Sequence, residues 1–398
     1  MIKKYRYPLL ENAFSNSDLA VAKKVLDTKV ITMSKITEKF EKYFAKKMKT
    51  KYALMVNSGS SANLLAAFAS KNPYRKLRVK QKDEALIPAL CWSTSMWPLY
   101  QIGLKIKFLD VNPNTLNVDI NEYIKNITSK TKLIMAVHVL GMSGEIDKLR
   151  SICKRKKIIL IEDTCESLGA KFKKKNLGTF GDFGTFSFYY SHQITSGEGG
   201  MIVCNNKNDY NILYSLRAHG WTRNLKIKNL KTKLDKKFIF YNEGFNLRPT
   251  DIAASIALNQ FKRLSLFKKQ RENNRNKIIK YLKKDKNWNN QYLFQQYQKN
   301  SEPSWFGLPM LLNEKLIKKK KKILNFLESR GIETRPIISG NFLNQPAIKK
   351  FKLNFNQKKC FGAEEIEKKG FFIGLHTSPI KNKDLKLIVK TLLSVEKL

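Results

Sequence analysis

The chain has 398 residues, 42% of them hydrophobic, and a formal net charge of +44 at pH 7. This length is enough to bury a full core, and no apolar run reaches the ~18 residues of a membrane-spanning helix. The first residues show neither the apolar stretch nor the cleavage site of a secretory signal. We therefore expect a cytoplasmic protein without a membrane partner.

The strongly basic composition raises the question of nucleic-acid binding. Lysine and arginine total 76 residues against 32 acidic ones, but they are spread over nearly the whole chain. The one dense run, residues 318–322, falls on the polar face of a predicted amphipathic helix. No zinc finger or arginine-rich arm accompanies it. We expect no nucleic-acid partner, and keep nucleic-acid binding as a minor alternative.

Strand and helix patterns alternate from about residue 50 to residue 205. The predicted helices cover residues 61–71, 93–103 and 146–156, and the predicted strands cover residues 52–59, 83–90, 105–111, 132–141, 157–163, 184–190 and 199–206. This alternation predicts an α/β domain with a mostly parallel sheet.

The pattern changes near residue 262. A long charged helix over about 262–284 and a helix over 315–330 are predicted there, with strands at 303–312, 333–338 and 370–378. We predict a large domain over residues 1–262, with an N-terminal helical segment, and a small C-terminal α/β domain over residues 263–398.

Three motifs follow the ends of predicted strands. In "NSGSSAN" (57–63), backbone N–H groups at a helix start favour an anion, although serine is also an ordinary helix cap. In "IEDTCESLGA" (161–170), Glu162 and Asp163 stand at a strand end, where a carboxylate could hold the ring nitrogen of a pyridine cofactor, although an aspartate there is equally expected to cap a helix. In "ALCWSTSMW" (89–97), Trp92 is placed to stack on a flat ring, although core tryptophans are commoner.

Together the three motifs suit pyridoxal 5′-phosphate (PLP) better than a dinucleotide, because no G-x-G-x-x-G follows a strand. The segments "NSGSSANLLAA", "IEDTCESLGA", "GTFGDFGTFSFYYSHQITSGEGGMIVCNN" and "GFNLRPTDIAA" occur in this order. In order and spacing they resemble the DegT-type sugar aminotransferases, PLP enzymes with the aspartate aminotransferase fold. The resemblance runs from residue 32 to residue 341. It implies a three-layer sandwich with a mostly parallel central sheet, followed by a smaller C-terminal domain.

The resemblance also implies roles for individual residues. Asp163 would pair with the pyridine nitrogen, and Asn246 would reach the cofactor of a neighbouring subunit, which implies a homodimer with shared active sites. The other cofactor contacts implied are Gly59, Ser60, Ser61, Trp92, Glu166 and Ser187.

One position departs from the aminotransferases of this family. Their Schiff-base lysine corresponds to His192 in "SFYYSHQITSGEGG" (187–200). Imidazole cannot replace a primary amine in a covalent bond to an aldehyde, but it moves protons near neutral pH. This loop, with "CWSTS" (91–95) and "LRAHGW" (216–221), resembles the sugar 3-dehydratases that make 3,6-dideoxyhexoses. That likeness makes His219 a second catalytic candidate. Arg335 and Asn341 become candidates for binding the substrate or a glutamate carboxylate.

Cysteine usage separates two branches of this subgroup. One branch carries an iron–sulfur cluster on four cysteines, three of them closely spaced soon after the histidine. The five cysteines here are far apart, without C-x-x-C, which argues against a cluster, a zinc site or a disulfide framework. The likeness therefore favours the iron-free branch, which acts on GDP-4-keto-6-deoxymannose in the synthesis of colitose, a lipopolysaccharide sugar.

The implied reaction removes the C3 hydroxyl from a nucleotide-linked 4-keto-6-deoxyhexose. It uses PLP and pyridoxamine 5′-phosphate (PMP), takes an amino group from L-glutamate and releases ammonia. The sequence leaves the nucleotide and the sugar open. Two alternatives also stay open: a PLP aminotransferase with its lysine elsewhere, such as Lys207, and a basic, non-catalytic protein on the same scaffold.

Overall fold

A computed structural model describes residues 5–11, 13–222, 225, 233–235, 238–351, 353 and 359–398. The strands are β1 Tyr52–Val56, β2 Glu84–Pro88, β3 Lys105–Leu109, β4 Thr131–Val137, β5 Ile159–Asp163, β6 Lys171–Phe172, β7 Lys175–Asn176, β8 Phe183–Ser187, β9 Gly200–Cys204, β10 Tyr292–Phe294, β11 Ser301–Glu302, β12 Gly307–Leu312, β13 Thr334–Arg335 and β14 Gly370–Gly374. The α-helices are α1 Asn16–Asp27, α2 Lys35–Met48, α3 Gly59–Lys71, α4 Ser93–Gln101, α5 Ile120–Asn126, α6 Ile146–Lys156, α7 Lys207–Arg217, α8 Asp251–Phe261, α9 Leu264–Lys284, α10 Lys320–Ser329, α11 Pro346–Lys350, α12 Phe361–Lys369 and α13 Asn382–Leu393.

The large sheet of the described chain has seven strands in the order β1-β9-β8-β5-β4-β2-β3. The neighbours from β8 to β3 pair in parallel, while β9 runs antiparallel to both β1 and β8. β1 therefore points the same way as β2, β5 and β8. The carboxyl ends of these four strands lie at one edge of the sheet, where open α/β folds bind ligands.

Both faces of this sheet are covered. Along β1, Leu54 belongs to a core that also contains residues of α3, α4 and α6. Its neighbour Met55 belongs to a second core, with Phe40 and Phe44 of α2 and Phe261 of α8. Because successive side chains of a strand alternate between faces, the sheet lies between two helical layers. This confirms the predicted three-layer sandwich with a mostly parallel sheet.

The C-terminal part contains an antiparallel sheet in the order β10-β12-β14-β13. A further small sheet joins β11 to β6 and β7. β6, β7, β10 and β11 lie outside the predicted strands, because two or three residues are too few to show an alternating pattern of their own. α8 ends at Phe261 and α9 begins at Leu264, and the predicted division between residues 262 and 263 stays a prediction.

The N-terminal segment packs against the C-terminal part. Tyr7 pairs in parallel with Ile332, and its ring stacks on His376 with 4.2 Å between ring centres. In turn, Nε2 of His376 lies 2.7 Å from the Pro8 carbonyl. Residues at the two ends of the sequence thus share one core. Among the described helices, none has the combined length and apolarity needed to cross a membrane.

Candidate active site

The start of α3 follows β1 directly. Ser58 caps the helix, its Oγ accepting the Ser61 N–H at 3.0 Å, while the N–H groups of Gly59 and Ser60 have no helical carbonyl to bond. A Cβ at Gly59 would lie 2.5 Å from Ser187 Cβ and 2.9 Å from Cys165 Sγ. Glycine thus lets the helix start approach Ser187 closely, and the two together form a cradle suited to a phosphate.

Asp163 ends β5 opposite Thr185 of the neighbouring strand β8, two residues before Ser187. The residue is 4% exposed, and its Oδ2 accepts hydrogen bonds from Asn63 Nδ2 and Ser95 Oγ, both at 2.7 Å. Oδ1 accepts the Cys165 N–H at 3.1 Å. These donors hold the carboxylate in one orientation, and its oxygens retain lone pairs for a ring N–H.

The adjacent Glu162 is occupied in a different way. His138 Nε2 lies 3.0 Å from its Oε2, and the carboxylate accepts N–H groups from Gly178, Phe180 and Gly181 at 2.6 to 2.9 Å. Glu162 and His138 therefore anchor the loop before β8. This leaves Asp163 as the strand-end carboxylate able to bind a ligand.

Trp92 precedes α4, at the end of the segment that follows β2. Ser60 Oγ donates to Thr94 Oγ1 at 3.1 Å, which brings the starts of α3 and α4 together. Trp92 is 57% exposed, unusual for so large an apolar side chain. Its indole is free to stack on a flat ring beside the cradle.

His192 lies in the loop after β8. Its N–H donates to the Tyr189 carbonyl at 3.0 Å, and its ring meets the rings of Tyr189 and Phe306 at centroid distances of 5.8 and 5.1 Å. Its Nδ1 has no hydrogen-bond partner among the described residues. Although the residue as a whole is half-buried, desolvation lowers the pKa of His192 to about 4, and the backbone of Cys165 and Ser187 offsets part of this. The imidazole is thus neutral near pH 7 and able to accept a proton.

Glu166 is a second unusual carboxyl group near Asp163. Burial raises the pKa of Glu166 to about 7. The Leu140 N–H, 3.1 Å from its Oε2, opposes the rise, and the charge of Asp163 adds to it. The group is therefore able to change charge near neutral pH.

His219 and Asn246 lie side by side, and the segment that carries Asn246 reaches the end of β1, where the Asn57 N–H donates to the Leu247 carbonyl at 3.1 Å. Both are exposed, and the residue before His219, Ala218, forms a β-bridge with Asn246. The Asn246 Oδ1 accepts from Arg248 Nε at 2.9 Å. Within the described ranges, no hydrogen bond joins His219 or Asn246 to Asp163 or His192.

The two predicted substrate residues differ in their surroundings. The Arg335 side chain is 60% exposed and pairs with Glu333 at 3.1 Å. Asn341 is buried, and the following N–H, of Phe342, donates to the Ala89 carbonyl at 2.9 Å. Asn341 therefore lies near the segment that carries Trp92, whereas Arg335 has no hydrogen bond to it.

The structure thus brings most of the predicted site residues together at one sheet edge. We call them the strand-end cluster: Gly59, Ser60, Ser61, Trp92, Asp163, Glu166, Ser187 and His192. Sequence reasoning missed Asn63 and Ser95, the two side chains that orient Asp163. Both lie in motifs singled out for other residues, "NSGSSAN" and "CWSTS". The sequence feature that could have identified them is a polar residue in the first turns of a helix that follows a strand.

Lys207, the lysine suggested for an aminotransferase, lies elsewhere. It begins α7 after β9, and its Nζ lies 5.2 Å from the ring centre of Tyr52, the first residue of β1. The strand-end cluster lies at the opposite end of β1. As for metals, none of the five cysteines is in a disulfide, and no three potential ligands among the described His, Cys, Asp and Glu residues come together.

Comparison with known proteins agrees with this geometry. The model of the DegT/DnrJ/EryC1/StrS aminotransferase family matches residues 13–393. GDP-4-keto-6-deoxy-D-mannose 3-dehydratase of Escherichia coli O55:H7 is 40% identical over 379 residues, 93% of this chain and 95% of the relative.

Two solved structures of GDP-4-keto-6-deoxymannose-3-dehydratase are 36% identical to the chain. One is a histidine-to-asparagine mutant with bound GDP-perosamine (TM-score 0.89), covering 97% of this chain and 100% of that one. The other holds a trapped PLP-glutamate geminal diamine (TM-score 0.88), with the same coverage.

Proposed function

The chain belongs to the DegT/DnrJ/EryC1/StrS aminotransferase family, and from this premise we propose that it is a PLP-dependent nucleotide-sugar 3-dehydratase. It removes the C3 hydroxyl from a nucleotide-linked 4-keto-6-deoxyhexose, and GDP-4-keto-6-deoxymannose is the proposed substrate. L-Glutamate is the amino donor, and ammonia is released. The observation that carries the proposal is that a histidine, His192, occupies the loop after β8, in a stretch without lysine from residue 176 to 206.

The strand-end cluster fits the cofactor. The cradle formed by Gly59, Ser60, Ser61 and Ser187 would hold the phosphate, because a side chain at position 59 would close it. Asp163 would accept the pyridine N–H. When bound, PLP or PMP supplies an electron sink for breaking the bond to the C3 hydroxyl.

The other side chains of the cluster position the ring and move protons. Trp92 would stack on the ring, and Glu166 would contact the cofactor beside Asp163. His192 would accept the proton removed at C4′ of the bound cofactor. Because imidazole is not a primary amine, residue 192 would form no stable covalent bond to the cofactor aldehyde. His219, Arg335 and Asn341 are proposed to act on the substrate side.

The decisive assay supplies PMP and GDP-4-keto-6-deoxymannose to the purified protein. We expect ammonia and a 3-deoxy-4-keto sugar, and we expect no PLP to be fixed on the protein by borohydride. His192→Asn should abolish sugar conversion while the protein still binds PLP. As a control, Lys207→Met should leave the rate unchanged. Trapping of PLP on a lysine, or transfer of the amine to C4 of the sugar, would contradict the proposal.

We also propose a homodimer in which Asn246 completes the partner's site. This is supported by the exposure of both Asn246 and Trp92. Mixing inactive His192→Asn and Asn246→Ala dimers, with subunit exchange, should restore activity, because one site of each mixed dimer is then intact. If Asn246 served its own subunit, no mixed site would be intact and activity would stay lost. The cytoplasmic location stays a prediction.

A further inference from the structure

A cavity of about 450 Å³ adjoins His192, one residue of the strand-end cluster. Its wall is formed by the N-terminal segment, α8, α9 and the loop after β8, and it includes His192, Gln193 and Arg271. Four side-chain atoms of its wall are buried without a hydrogen-bond partner among the described residues. They are His192 Nδ1, Gln193 Oε1, Arg263 Nε and Arg271 Nη1. Buried polar atoms are normally satisfied, so this concentration around one cavity indicates a polar ligand.

Arg271 is the most informative of these groups. It is 2% exposed, and its hydrogen bonds go to two backbone carbonyls, Leu375 at 3.0 Å and His192 at 3.2 Å. No carboxylate of the described residues forms an ion pair with it. Burial lowers the pKa of Arg271 to about 10, so the guanidinium is still charged near pH 7. A buried cation without a counter-ion is costly, and an anionic ligand would remove that cost.

The acidic residues on the wall do not fill this role. Asp18 is paired with Arg263 at 2.6 Å. Glu11 is paired with Lys381 at 3.1 Å and lies 3.5 Å from His376 Nδ1. Because Asp18 and Glu11 already pair with other basic groups, Arg271 is the cation of the cavity wall that is able to pair with an anionic ligand.

We propose that this cavity binds a carboxylate group of the amino donor, with Arg271 as its counter-ion. This inference rests on the proposed function, in which L-glutamate brings the amino group to a site beside His192. The cavity is large enough for an amino acid. The hydrogen bond from the Arg271 side chain to the His192 carbonyl places the proposed carboxylate site next to the proposed base. A guanidinium recognises a carboxylate by its fixed fork of donors.

Calorimetric titration of the cofactor-free protein with L-glutamate tests the proposal directly. The wild type should bind, and Arg271→Met should bind at least about tenfold more weakly, since a charge-assisted hydrogen bond contributes roughly 1.5–3 kcal/mol. Arg275→Met is the matched control. It removes a guanidinium one turn along α9 that stacks on Trp305 at 4.2 Å and does not line the cavity, and glutamate binding should be unchanged.

A second variant covers the risk that Arg271→Met misfolds. Ala13 is half-buried and lines the cavity. The larger side chain of Ala13→Leu narrows the cavity without removing a charge, so this variant should also weaken glutamate binding. The proposal is overturned if L-glutamate does not bind the wild type, or if both variants bind it as the wild type does.

Single-turnover sugar conversion keeps this inference separate from the proposed function. With PMP supplied, no donor is needed, so Arg271→Met should convert the sugar in one turnover but fail to sustain turnover with glutamate. If the wild type does not convert the sugar at all, the proposed function fails. The titration then still decides whether the cavity binds a carboxylate.

Discussion

At the scale of single residues, the orientation of Asp163 depends on two neutral side-chain donors, Asn63 and Ser95, besides the Cys165 N–H. Asn63 is itself held by Thr185, whose Oγ1 donates to Asn63 Oδ1 at 2.6 Å. The chain Thr185–Asn63–Asp163–Ser95 therefore fixes a carboxylate on which cofactor binding is proposed to depend. Such supporting residues commonly matter almost as much as the groups they orient.

Ser95→Ala tests this chain. Removing one of the two donors to Oδ2 should lower the free energy of unfolding by roughly 1.5–3 kcal/mol, because a buried carboxylate loses a hydrogen bond. It should also weaken PLP binding. Urea unfolding and a PLP titration measure the two effects. Ser93→Ala, two residues earlier at the start of the same helix, is the control and should change neither. Equal behaviour of both variants would contradict the role of Ser95.

Glu166 allows a pH prediction. Its pKa is raised to about 7 in the folded protein from an ordinary value near 4.3 in the unfolded chain. Between these two pH values the folded state holds a proton that the unfolded state has lost. Stability from this group is therefore lost as pH rises through that window.

The measurement compares the cofactor-free wild type with Glu166→Gln, which is neutral at every pH. The variant should lose less stability than the wild type as pH rises from about 4.3 to about 7. Urea midpoints at several pH values measure this difference. Parallel pH curves for the two proteins would show that Glu166 does not titrate in this window.

At the scale of elements, the position of α3 against β8 creates the phosphate cradle. Helices that follow parallel strands present their N–H groups at the ligand edge of the sheet. Here the approach is close enough to leave no room for a side chain at position 59.

Gly59→Ala should therefore push α3 away from Ser187. An overpacked methyl group costs typically about 1–3 kcal/mol, and the shift should weaken PLP binding as well. Thermal unfolding and PLP titration give the two readouts. Ser60→Ala, at an exposed position of the same turn, should change stability by less than about 0.5 kcal/mol. A Gly59→Ala protein with wild-type stability would show that α3 shifts without cost.

At the scale of the whole molecule, the two ends of the chain hold each other. Tyr7 is 1% exposed, stacks on His376 and donates from its hydroxyl to the Gly374 carbonyl at 3.2 Å. The same N-terminal segment continues into the wall of the cavity that contains Arg271. The packing of this segment against the C-terminal part therefore also shapes that cavity.

Tyr7→Ala should destabilise the protein by about 3 kcal/mol or more, as large-to-small changes in a core do. Tyr7→Phe keeps the ring and should cost only about 1 kcal/mol for the lost hydrogen bond. Urea unfolding distinguishes the two variants. A Tyr7→Ala cost no larger than that of Tyr7→Phe would mean that the stacked ring contributes little.

The sequence by itself determined the fold class and the type of cofactor. Alternating strands and helices of five or more residues carry a periodic signal, and strand ends carry their polar motifs with them. The two-residue strands β6, β7 and β11 carry no such signal and lie outside the predicted strands, whereas β13, equally short, falls within the longer extended stretch predicted over residues 333–338.

Only the tertiary structure decided which side chains meet. Asn63 and Ser95 reach Asp163 from positions 100 and 68 residues away, a distance that no local pattern encodes. The same holds for Arg271 and the cavity, because burial without a counter-ion is a property of packing. The sequence names the chemical groups at the strand ends, whereas the packing of distant segments sets their partners, their burial and hence their pKa values.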